Sequence, residues 1–104
     1  MTPRLSSLTK QLIEVIFDPR DRAEASQWLE QECGNNLPFC NDYDEHKMER
    51  IRFAALKLSQ GEVTKLLRVI DLARRDWRDV LVAADFGNHL DAHELWAKEV
   101  TENP

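Results

Sequence analysis

A chain of 104 residues and 12.1 kDa has room for one domain, residues 1–104, with a core that stands without a metal or disulfide staple. Its 42% apolar and 32% charged residues, with only three glycines and four prolines, exclude a disordered polar chain and a turn-rich β-sandwich, leaving an all-α domain as the expectation. The net charge of −5 argues against a dedicated nucleic-acid binder, since phosphate neutralisation calls for excess Lys and Arg.

The charge is unevenly spread. Residues 1–46 hold 4 basic and 9 acidic groups, residues 47–78 hold 9 and 4, and residues 79–104 hold 1 and 6, so a basic block lies between two acidic ones. The N-terminus lacks the apolar run and small-residue cleavage site of a secretory signal. No stretch approaches the roughly 20 apolar residues of a membrane span, and a cytoplasmic protein is expected.

In chain order, Thr2-Pro3 reads as a cap and first turn, and Leu5, Leu8, Leu12, Val15 and Ile16 recur at helical spacing, predicting a first helix over about residues 3–17. Asp18-Pro19 repeats the signal, and Ala25, Trp28, Leu29 and Cys33 carry a second helix to Gly34. Pro38 interrupts the chain as a loop in which Leu37 and Phe39 are expected to tuck inward. Asp42 with Glu45 three residues on resembles a capping box for a third helix ending near Ser59 and Gly61.

That third helix is apolar over most of its circumference, with Met48, Ile51, Ala55 and Leu58 on one face and Phe53 and Leu56 off it. It is expected at the centre of a compact orthogonal bundle of five to six helices, with a polar strip of Lys47, Arg50 and Lys57. A fourth helix, about residues 62–73, buries Val63, Leu66, Leu67 and Ile70. Asp76 then caps a fifth carrying Trp77, Val80 and Leu81 to Gly87, and Asp91 with Glu94 opens a short sixth.

His89 and His93 stand four residues apart among Asp85, Asp91 and Glu94, a spacing that on one helix presents two imidazoles to a metal. Here Asp91 reads as a helix start between them, which removes the shared face and leaves a helix stop followed by a helix start. His93 and Trp96 are then expected to anchor the last helix to the core. Cys33 and Cys40 are too widely spaced for a typical zinc half-site with His46, and in a cytosolic chain they are expected reduced. Cys40 and His46 alone make a weak nucleophile pair, and no Walker, dinucleotide or other cofactor motif occurs. No metal, cofactor or catalytic residue is expected, and the chain does not read as an enzyme.

The basic block has a consistent geometry. Lys65, Arg68, Leu72 and Arg75 fall on one side of the fourth helix, an apolar residue among cations, and Lys47, Arg50 and Lys57 extend the strip if the third and fourth helices pair with both strips outward. These seven residues are the candidate partner-binding set. The expected partner is another protein, met by a non-enzymatic adaptor, inhibitor or immunity-type module. The alternative is a nucleic-acid-associated regulator using the same block at residues 47–78. A helix-turn-helix fits the lengths of residues 62–86, but the helix that would enter the groove, WRDVLVAADF, carries more acid than base.

The segments RIRFAALKLSQGEV, DWRDVLVAADF and HELW resemble segments that recur in small bacterial all-helical proteins without assigned activity. The resemblance spans residues 50–96 and implies a bacterial cytosolic origin.

Overall fold

The structure is a computed structural model that describes residues 5–33, 45–87 and 91–102, with backbone alone at residues 45–47. The described residues form five α-helices and no strand: α1 Ser7–Ile16, α2 Pro19–Glu32, α3 Glu45–Ser59, α4 Val63–Ala83 and α5 Ala92–Glu102. Helix α3 packs against α1, α4 and α5, most extensively against α4, while α2 packs against α1 and α4. Met48, Ile51, Phe53, Ala54, Ala55 and Leu56 of α3 are all buried, so the central position expected of this helix is where it lies.

Helix α1 starts later than Thr2-Pro3 predicts. Leu5 and Ser6 are not helical, and the extended Ser6 takes the cap position, its hydroxyl accepting the Thr9 amide at 3.1 Å. A serine oxygen spaced to reach the third amide of the helix satisfies an otherwise orphaned donor. The same hydroxyl donates to Glu49 Oε1 of α3 at 2.7 Å, tying the start of α1 to the central helix. Helix α2 begins where Asp18-Pro19 places it, with the proline in the first turn. The proposed Asp42 cap, the loop residues Leu37 and Phe39, and Gly34 lie outside the described residues.

Two helices were expected over residues 62–86, and α4, from Val63 to Ala83, consists of two helical segments joined at a kink. Asp76 at the kink has non-helical φ −156° and ψ 96°, and its Oδ1 accepts the Arg78 amide at 3.1 Å. The expected cap therefore forms, and the two expected helical segments meet at it without an intervening loop.

The end of α4 corrects the role given to Gly87. Asp85, not the glycine, takes the left-handed conformation at φ 63°. The Asp85 amide donates to the Val82 carbonyl at 3.1 Å and the Phe86 amide to Leu81 at 2.8 Å, the pair of bonds that closes a Schellman end. An aspartate tolerates this conformation better than most residues. The turn delivers Phe86 into the core, where it is 1% exposed.

Helix α5 opens on Asp91, whose carbonyl accepts the Glu94 and Leu95 amides at 3.0 and 3.2 Å. His93 is fully buried, 5.4 Å between ring centroids from Phe53 and 6.3 Å from Phe86. Trp96, half-buried one turn on, lies 5.8 Å from Phe86 and 6.3 Å from Phe53. This four-ring cluster holds the last helix on α3, as His93 and Trp96 were expected to do. Trp28 and Trp77 are likewise half-buried against the core.

The turn between α3 and α4 fixes how closely these helices approach α1. Gln60 and Gly61 both have positive φ, 52° and 79°. A β-carbon on Gly61 would lie 2.7 Å from the Ile16 carbonyl oxygen at the end of α1. Gly61→Ala should therefore cost about 1–3 kcal/mol, from the strained backbone and the forced separation of the turn from α1. Urea unfolding of the two proteins measures it, and an unchanged midpoint would mean that the close approach is absent in solution.

Candidate functional site

The last carbonyls of an α-helix have no partner within it and carry its negative dipole end, so a cation there gains both hydrogen bonds and charge compensation. Helices α1, α2 and α4 have no basic residue in their own last turn. Each is capped from another helix. Arg22 of α2 donates to the Glu14 and Phe17 carbonyls of α1 at 2.7 and 3.2 Å. Arg52 of α3, only 3% exposed, donates to the Cys33 carbonyl at 2.9 Å and the Glu30 carbonyl at 3.4 Å at the end of α2. Lys57 of α3 donates to the Ala84 carbonyl at 2.7 Å, and Arg50 to the carbonyl of Phe86, both at the end of α4. The Lys57 ammonium also sits 5.0 Å above the Phe86 ring.

This corrects the expected geometry of the basic strip. Arg50 and Lys57 do not face outward beside α4; their polar ends reach inward to its final turn. Both are half-buried, their long stems lying along α3 as their polar ends meet the carbonyls of this turn. The Lys47 side chain lies outside the described residues.

The four α4 residues divide. Lys65 is half-buried and pairs with Glu62 at 2.8 Å and with the Gln60 amide oxygen at 2.7 Å. Arg75 is exposed and pairs with Asp71 one turn back. Leu72, expected exposed, is half-buried and packed on the core. Arg68 is exposed, and no hydrogen bond or ion pair to it occurs among the described residues. On the neighbouring side of α4, Arg74 reaches Glu32 of α2, and Arg78 lies over the Trp77 ring at 5.6 Å. Exposed pairs of this kind contribute little to stability and exchange readily.

No group of three or more His, Cys, Asp or Glu side chains gathers around one point among the described residues. His89, Cys40 and the His46 side chain lie outside them. Cys33 is buried in the core, on the stripe assigned to it. His93 has Glu94 Oε1 3.8 Å from its Nε2, and aromatic rings on its other sides. Between α1 and α2 an open groove of about 340 Å³ has Leu5, Ile13 and Ala23 in its lining, with Lys10, Glu14, Arg22 and Glu30 around them. Its Arg22 is already engaged at the end of α1.

Sequence reasoning passed over Arg52 and Arg22, the two cations that close α2 and α1. For Arg52 a signal existed: it falls four residues after Met48 and four before Leu56, a lone cation in an apolar row of α3. No family model, no curated protein and no solved structure matches the chain.

The basic residues should thus separate by substitution. Arg52→Ala leaves buried carbonyls without their donor and should cost about 1–3 kcal/mol, whereas Arg68→Ala should stay within roughly 0.5 kcal/mol of the parent. Denaturant unfolding distinguishes them; equal losses would show that the exposed arginine is structural as well.

Proposed function

We propose that this chain is a non-enzymatic protein-interaction module, an adaptor, inhibitor or immunity-type protein of the bacterial cytoplasm. In this reading a compact orthogonal bundle serves as the scaffold. No helix among the described residues is long and apolar enough to cross a membrane, which suits that setting. The docking face is the outward side of α4, centred on Arg68, with Leu72 and Arg75 following it at helical spacing and Lys65 at the edge.

The observation that carries the reading is Arg68: among the strip's described cations, it alone makes no hydrogen bond or ion pair with the described residues. An exposed guanidinium beside half-buried Leu72 suits a carboxylate-bearing protein surface, which can take the planar donor fork and cover the leucine together. Asp71 between Arg68 and Arg75, and Glu62 beside Lys65, weigh against the nucleic-acid reading, because fixed carboxylates on the same face repel phosphate.

The double variant Arg68→Glu/Arg75→Glu should keep its fold and lose at least about tenfold in affinity for the partner, some 1.4 kcal/mol. The test is affinity capture with both baits, followed by titration of whatever the parent retains. If every retained protein binds the variant equally well, α4 is solvated surface and the reading falls. A gel shift of duplex DNA that weakens steeply with salt would favour the nucleic-acid role instead.

A further inference from the structure

The outward side of α5 offers a counterpart to the α4 face. Leu95 is 64% exposed, and Glu99 and Glu102 follow it at i+4 and i+7 on the same stripe, both exposed. Exposed Asp91 precedes Leu95 by one turn. On α4, Arg68, Leu72 and Arg75 stand at i, i+4 and i+7, with both arginines exposed. The α5 stripe, which also carries exposed Lys98, is thus net acidic around an exposed leucine, and the α4 stripe, which also carries Asp71, is net basic around a half-buried one, at a repeat that lets two helices lie side by side.

We infer that the occupant of the α4 face is the α5 face of a second copy of this chain, with Leu95 laid against Leu72 and the α5 carboxylates against Arg68 and Arg75. This rests on the reading of α4 as a docking face and names its partner. Arg68 gains a carboxylate that the described residues do not give it, and Arg75 exchanges its exposed pairing with Asp71, a weak interaction in water, for one beside buried leucines. The net charge of −5 opposes the approach of two copies only at long range, because at physiological salt the screening length is about 8 Å. The two faces lie on different helices. One such contact is therefore head-to-tail, and two form together only around a twofold axis.

Sedimentation velocity of the whole chain, from micromolar to millimolar concentration at physiological salt, should reveal self-association that weakens at high salt. Arg68→Glu/Arg75→Glu alone, and Glu99→Arg/Glu102→Arg alone, should each be monomeric, since each places like charges on both faces. Mixing the two variants should restore association between unlike copies, because facing stripes then again carry opposite net charge. A parent chain that stays monomeric throughout, variants that still self-associate, or a mixture that stays monomeric would each overturn the inference. If the parent is monomeric while the α4 variant loses a captured partner, only the second-copy assignment fails. If the captured partners also tolerate that variant, the α4 reading fails with it.

Discussion

The arrangement depends on one electrostatic constraint, the need to satisfy helix C-termini that lack cations of their own. Helices α1, α2, α4 and α5 end without a basic residue in the last turn; the ends of α1, α2 and α4 are each met by a donor from a neighbouring helix, and that of α5 by its own Thr101 hydroxyl. Arg22 joins α2 to α1, Arg52 joins α3 to α2, and Arg50 and Lys57 join α3 to α4. Such a cap works only when two helices hold a particular distance and register, so it specifies packing as well as stabilising an end. Apolar burial supplies the larger driving force but little direction, and these directional bonds select among the packings that burial would allow.

The end of α4 links this constraint to the last helix. Asp85 turns the chain in the left-handed conformation and sends Phe86 into the core, while Lys57 both binds the Ala84 carbonyl and lies over the Phe86 ring. Phe86 in turn is one wall of the cluster that receives His93 and Trp96. One turn of backbone thus couples the capping of α4 by α3 to the seating of α5. The side of α5 opposite His93 is left to solvent, and that is why Leu95 is exposed while the other described leucines are buried or half-buried.

The helices themselves were legible. Pro19, the apolar row of α3 and the capping aspartate at position 76 each announced themselves through local chemistry, and the structure uses each as such. The start of α1 lies at Ser6, later than Thr2-Pro3 implies, and the Ser6 hydroxyl joins the Thr9 amide to Glu49 of α3, a contact 43 residues away that no local pattern announces. The candidate surface was legible only in part. Arg68 and Arg75 are exposed as periodicity places them, but periodicity could not tell an outward lysine from Lys57, whose long stem reaches a carbonyl 27 residues away.

What the sequence determined by itself is local: helix content, the buried rows, the central character of α3 and the interruption at Asp76, all consequences of spacing and capping within a few residues. What the tertiary structure decided is which charges are spent inside the molecule. Nine basic groups in residues 47–78 look alike along the chain. The separation of those described into caps, surface contacts and the exposed Arg68 depends on where other helices end in space. Those carbonyls lie far away in sequence, and no local pattern encodes the distance to them.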